Sequence, residues 1–365
     1  MCSRIQYFAG NEDKKDSGLL LLCRISIFTA ISAIFIPAFP LYFFMYISYY
    51  ILKMAMGPFF NLQWDALLLE SGMLCVLLAA ASHPLLKMGI LFLFQLLLFR
   101  LMFGSGVVKI CAPDDSWRNL TAMYYHFLTQ PLPLARAKYF HNLPKSILQL
   151  FTLGALIIEL LVPLLSLIPY FRLVAFFLYL GLQVSIGATG RFGFFNFLTA
   201  ILGLSLLRDE QIHQIFCTMN FPSVSSIIPF QGHILSLNIV DIYGVWMICG
   251  HICSFIIDVI ISIASIAILF SNLVSIKNLC NRFHTQSKIF ELARRSKSIP
   301  RVVKSARVML PTFIENFHSS LALLFIGCHY GLFANMTKHR DEILVDVCWE
   351  GYIVNENRWE PIKFR

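Results

Sequence analysis

Along this chain apolar residues do not alternate with polar ones; they run. From Ile25 to Leu52 no charged residue interrupts the sequence, from Ile147 to Ile168 only Glu159 does, and from Val259 to Ile276 none does. Each run is long enough to cross a hydrocarbon core about 30 Å thick as a helix. In lipid every backbone N–H and C=O must find its partner inside the protein, which leaves helices or closed barrels. Runs that are continuous rather than alternating select helices. At roughly 20 residues per crossing, the pattern predicts about eight spans, near 19–39, 41–60, 66–82, 85–108, 147–168, 172–189, 192–208 and 242–272. Pro37 and Pro40 leave open that the first two are one bent span. The 192–208 stretch is short enough for a re-entrant segment. The first run exceeds the apolar core of a signal peptide and has no small-residue cleavage site after it, so it reads as a signal anchor.

The polar stretches divide the chain into a tail at 1–18, a multi-pass body at 19–276 with a polar loop at 111–146, a basic segment at 277–310, and a region of different character at 311–365. In that last region Ile343, Val345 and Val347 alternate with Leu344, Asp346 and Cys348, followed by the turn-rich "GYIVNEN". This predicts two strands around a loop. Two strands alone are marginal in water, so a β-rich domain that is incomplete within this chain is expected.

Composition narrows the class. The 365 residues are 58% hydrophobic and 13% charged, against about 25% charged in an ordinary soluble domain. The net charge of +9 is not a nucleic-acid signature. Much of it is local: Arg282, Lys288, Arg294, Arg295, Lys297, Arg301, Lys304 and Arg307 face a single acid, Glu291. Beside a span, such bias reads as a cytoplasmic positive-inside loop, or as a contact with anionic lipid. The ten cysteines are scattered. Cys75, Cys249 and Cys253 lie in apolar helices and read as packing residues. "CGHIC" at 249–253 lacks metal-site spacing, and one span supplies too few ligands. Cys111, Cys217, Cys328 and Cys348 lie outside the predicted spans, with pairing undetermined. No cofactor or metal is expected.

The charges inside the apolar runs are the candidate chemistry. Asp65 and Glu70 in "FFNLQWDALLLESG" are five apart, roughly 140° around a helix, so they do not form a paired-carboxylate site. Asp65 reads as an interface residue beside Trp64, whose indole favours that depth. Glu70, Arg100, Lys109, Glu159 and Asp258 lie in or at the ends of spans. An intramembrane charge is costly and points into the bundle toward a partner. Arg100 is expected to pair with Glu70 or Glu159. "RLMFGSGVVKI" sets Gly104, Ser105 and Gly106 between two cations. These small residues permit close helix packing, whereas a phosphate cradle needs a glycine-rich strand–loop–helix context.

The 111–146 loop carries Trp117, Arg118, Tyr124, Tyr125, His126 and Phe127, with Pro131 and Pro133 fixing an extended stretch. Loops held by a rigid scaffold commonly carry function. His126 has no Ser or Cys nucleophile at a recognisable spacing and reads as a hydrogen-bonded structural histidine. No GxSxG, HExxH or Walker motif occurs. Two glycosylation sequons begin at Asn119 and Asn335, both outside apolar runs. If both are lumenal, the basic segment is forced into the lumen against the positive-inside rule, so Asn119 is unused, 308–328 is an extra weak crossing, or a span is miscounted.

"FNLQWDALLLESG", "FRLMFGSGVVKI", "SWRNLTAMYYHFLTQPLPLARAKYFHNLP", "GRFGFFNFLTAILGLSLLRD" and "HYGLFANMTKHRDEILVDVCWEGY…WEPIKFR" occur in one order. Together they resemble the lipase maturation factor family, over most of 59–210 and 328–365. The resemblance implies a multi-pass endoplasmic-reticulum membrane glycoprotein that is not an enzyme. It implies a chaperone-like role in folding and assembly of secreted lipases of the lipoprotein-lipase type, with lumenal loops and a C-terminal domain facing those clients. The family's C-terminal domain continues beyond Arg365, so a C-terminally shortened member is expected. The expected fold is an all-α polytopic membrane helix bundle with the start of a small β-rich lumenal C-terminal domain. In it Trp64, Asp65, Glu70, Arg100, Lys109 and Glu159 form a polar scaffold. The loop aromatics cover client surface. The expected partners are secreted lipases and membrane lipid, with no nucleic acid. Two other readings make distinct geometric demands. An enzyme resembling the membrane part of vitamin K-dependent carboxylases needs Lys109, His126 and Glu159 to converge on an enclosed pocket. A transporter needs broken helices meeting near mid-membrane.

Overall fold

The computed structural model describes residues 12–56, 62–218, 257–281, 320–321, 326–328, 330–338, 346–347 and 360–361. Its helices are α1 (Glu12–Phe35), α2 (Phe39–Met56), α3 (Gln63–Ala80), α4 (Pro84–Cys111), α5 (Ala122–Thr129), α6 (Ala137–His141), α7 (Lys145–Leu160), α8 (Val162–Ser166), α9 (Arg172–Thr189), α10 (Phe195–Gly203) and α11 (Asp209–Thr218). A twelfth, α12, spans Ile257–Asn281. Six stretches among the described residues are long and apolar enough to cross a membrane: Ser17–Phe35, Gln63–Ala80, Pro84–Cys111, Lys145–Ser166, Pro169–Thr189 and Ile257–Asn281.

The helix breaks follow from local chemistry. Residues 36–38 interrupt the first apolar run, because Pro37 lacks an amide and disfavours helix in the residue before it, Ile36. The run is therefore two helices packed on each other, not one bent span. The start of α4 has Pro84 at its first position and the His83 side chain accepting from the Leu85 amide at 3.3 Å. The 192–208 stretch becomes α10 and a 3-10 turn at Leu204–Leu206. The last predicted span shifts from 242–272 to Ile257–Asn281, which takes 277–281 out of the basic segment. The rest of that segment lies outside the described residues.

α4 is the hub. It is buried along its length, from Ile90 to Lys109. α3, α7, α8 and α10 pack on it. α12 reaches it through Asn272, and Asp258 at the start of α12 accepts from the Ser82 amide at 3.0 Å. Leu67, Leu74, Ile90, Leu97, Leu101, Phe176 and Tyr179 form the main core. Outward-facing side chains are also apolar: Phe28, Ile34, Leu85, Leu150, Phe177 and Ile263 are all well exposed. Contiguous exposure on this scale marks a surface whose solvent is lipid.

The polar 111–146 loop is not featureless. It folds into α5 and α6, and its extended stretch pairs with the end of α9: the Leu134 amide donates to the Thr189 carbonyl at 2.9 Å and the Arg191 amide to the Leu132 carbonyl at 3.0 Å. Near the C-terminus the described strands are β1 (Asp346–Val347) and β2 (Glu360–Pro361), paired antiparallel. The remainder of the expected β-rich region lies outside the described residues.

Candidate functional site

Residues 326–338 come after α12, the last described span, yet return into the bundle, and the scaffold charges are what they meet. Glu70 is the centre. Its carboxylate pairs with Arg100 and accepts from the Gly327 amide at 2.8 Å and the Tyr330 hydroxyl at 2.7 Å. Arg100 also donates to the Asn272 side-chain oxygen on α12, and its guanidinium lies 5.4 Å from the centre of the Tyr330 ring. Glu70 is 2% exposed and Arg100 0%. A charge pair so far from solvent is tolerated only where further hydrogen bonds support it, and here Asn272 of α12 and Gly327 and Tyr330 of the returning segment supply them. Of the two acids considered for Arg100, it is Glu70 that stands beside it.

Glu159 is paired instead with Lys109. The Lys109 ammonium lies 4.9 Å from the centre of the Trp117 ring, and the Trp117 indole donates to the Phe333 carbonyl at 2.8 Å. Phe333 has φ +58, a region that a bulky residue enters only when its surroundings hold it there. The indole bond and edge-on contacts to His126 (5.1 Å) and Phe192 (5.2 Å) are those surroundings.

Two further clamps complete the dock. Gln63 and Gly331 exchange a pair of hydrogen bonds, at 3.3 and 3.0 Å. Asp114 accepts from the Met336 amide at 2.8 Å and from Ser116. Partial burial pushes the Asp114 carboxyl up. The donors from Met336 and Ser116 and the charge of Lys338 outweigh this and hold it below its ordinary value.

The small residues of "GSG" have distinct tasks. A Cβ on Gly104 would stand 2.8 Å from the Tyr330 carbonyl oxygen, so glycine admits the returning segment. A Cβ on Gly106 would stand 2.8 Å from the Leu160 side chain, so glycine there admits α7.

Asp65 is engaged within the bundle. It is 3% exposed, stands at the third position of α3, and accepts from the Leu62 amide at 3.2 Å and the Tyr49 hydroxyl at 2.7 Å. It satisfies a free amide at the helix start and ties α2 to α3. Trp64 is half-buried against the main core.

The loop residues divide by burial. Trp117, His126 and Phe127 are interior. Tyr124 and Tyr125 are half-buried on α5. Arg118 donates to the carbonyls of Ile110 and Ala112 and pairs with Asp115, a cation placed at the carbonyl end of α4. Leu128, Leu132 and Tyr139 are the loop's exposed large apolar residues. Asn119 and Asn335 are both exposed, and the Asp114–Met336 and Trp117–Phe333 bonds place them at the same end of the bundle. The contributions of Gln63, Tyr49, Asp114 and Asn272 were not anticipated. Only the position of Asp114 in "APDDSW" and of Gln63 beside Trp64 hinted at them.

A bundle of long apolar helices whose buried ion pairs hold a segment from beyond its last described span is a polytopic α-helical membrane protein. Comparison with known proteins gives the kind. Residues 3–214, more than half of the chain, match the family model described as Lipase maturation factor transmembrane domain, and the chain belongs to that family. It is similar to Lipase maturation factor 2 of Gallus gallus, 36% identical over 211 residues, covering 54% of this chain and 29% of the relative. The human Lipase maturation factor 2 is 37% identical over 215 residues, 53% and 30% of the two chains. The human Lipase maturation factor 1 is 32% identical over 177 residues, 43% and 29%. The matched stretch thus spans less than a third of these relatives' length. No solved structure matches the chain.

Proposed function

We propose that this chain is a non-catalytic maturation factor of the endoplasmic-reticulum membrane that assists folding and assembly of secreted lipases. The names of the relatives support the lipase connection. The observation that carries the mechanism is the dock: Glu70, Trp117, Gln63 and Asp114 hold residues 327–336 beside the 112–144 loop. The client-facing role falls to the exposed Leu128, Leu132 and Tyr139 rather than to the interior aromatics.

The non-catalytic reading draws support from how the charges are engaged. The carboxylase-like alternative needs Lys109, His126 and Glu159 on one pocket. Lys109 and Glu159 are bonded to each other, and of the three only His126 lines the groove between α7 and α9.

The test is secretion of active lipoprotein lipase from cells lacking their own maturation factors, with and without this chain. The wild-type chain raises secretion, and Leu132→Ser with Tyr139→Ala lowers it while the chain itself accumulates normally. No gain from the wild-type chain sinks the proposal.

A further inference from the structure

Between α7 and α9, roofed by α5 and α6, lies a cavity of about 370 Å³, within the size range of small-ligand sites. Its walls are apolar: Phe140, Phe151, Ile158, Phe177 and Leu182 among others. The helical stretches that line it, 150–158 and 177–189, fall inside the spans Lys145–Ser166 and Pro169–Thr189. The longer stretch runs about 18 Å at 1.5 Å per residue, a little more than half of a ~30 Å hydrocarbon core. Leu150, Phe151 and Phe177 on its rim are exposed, so the groove opens toward the lipid side.

Two features give it the character of a built site. A Cβ on Gly154 or on Gly181 meets nothing within 4 Å. Both glycines line the groove, one on each wall. Neither is required by a close protein contact, and both keep the channel wide. The second feature is His126. Its ring lines the groove and is 7% exposed. Among the described residues it makes ring contacts with Phe127 and Phe333 but no hydrogen bond. A buried imidazole with no partner is costly. Burial and the nearby Lys109 charge lower its pKa to about 4, so the ring is neutral and offers one donor and one acceptor.

We propose that this groove binds one acyl chain of a single-chain lipid with a small hydrogen-bonding head, of the fatty-acid class, with the head on His126. The volume and the single channel fit one chain. The burial of His126 excludes a bulky headgroup, which favours a free acid or alcohol over a diacyl phospholipid. A carboxylic acid or hydroxyl complements a neutral imidazole on both sides.

The probe is stearic acid carrying a diazirine, photo-crosslinked to the purified wild-type chain in detergent and mapped by peptide mass. Labelling is expected on α7 and α9 and is competed by plain stearic acid. Gly181→Leu and, independently, Gly154→Leu fill the channel from opposite walls. Leucine at either site also favours helix, and each variant is expected to lose most labelling at unchanged thermal stability. His126→Phe is expected to need about tenfold more competitor, the effect of one hydrogen bond to a desolvated group. Labelling outside the groove, or labelling untouched in both glycine variants, overturns the proposal. So does displacement by phosphatidylcholine as effective as by stearic acid, which assigns the groove to bulk bilayer lipid. These outcomes do not depend on lipase secretion and leave the functional reading separately testable.

Discussion

Glu70 and Arg100 show what a single residue contributes in this bundle. Removing one partner of a buried pair leaves the other uncompensated and costs about 3–5 kcal/mol. Glu70→Gln and Arg100→Met are each expected to lower the unfolding midpoint in detergent strongly. The double variant is expected to lose less than the sum, because each single change already breaks the same network. Additive losses sink the pairing. His126 gives a second residue-level prediction. Its ordinary pKa of 6.5 falls to about 4 in the folded chain, through burial first and Lys109 second. The opened chain therefore takes the proton more readily. Stability from the neutral ring is complete above pH 6.5, declines as the pH falls, and is lost below about 4. The difference corresponds to on the order of 3 kcal/mol. His126→Phe is expected to remove that acid sensitivity in midpoints measured across the interval, whereas an unchanged pH profile contradicts the assignment.

At the scale of elements, the dock of residues 326–338 depends on backbone access. Gly104→Val places side-chain atoms against the Tyr330 carbonyl. It is expected to raise amide hydrogen exchange at Gly327, Gly331 and Met336 with little change in α9. Exchange unchanged at those three amides argues that the segment is held otherwise. Much of the bundle was legible beforehand. Apolar run length alone places α4 and α9 within a few residues and covers α7 and α8 as one span, because in lipid the backbone has few alternatives to helix. The scaffold charges were legible as a set, since an ionised group in an apolar run demands a partner. Their partners were not. For Asp65, its place three residues into α3 sets the amide it satisfies, which the neighbouring Trp64 does not reveal. Trp117 and Phe127 lie in a polar loop, which by itself implies exposure. What buries them is a segment some 200 residues away and the α5–α6 turn, and such contacts leave no periodic trace.

For the whole molecule, sidedness is the property with most consequence. Asn119 and Asn335 stand at one end of the bundle, joined through Asp114–Met336. Asn119→Cys and Asn335→Cys are therefore expected to react with an impermeant maleimide from the same side of sealed microsomes, above the background of the native thiols. Opposite-side labelling contradicts the dock. Same-side labelling would require an even number of crossings between the two acceptors.

The carboxylate of Glu70 meets Arg100 after 30 more residues have been made, but the Tyr330 hydroxyl lies 260 residues further along. Arg100 precedes Tyr330 by 230 residues, so at a synthesis rate of about 5–20 residues per second that interval is roughly 12 to 46 s. During it the young bundle carries an ion pair with vacant acceptor sites. Late-made groups thus complete a pair laid down early, so a nascent chain stopped before Gly327 keeps the α3–α4 pairing electrostatically unfinished.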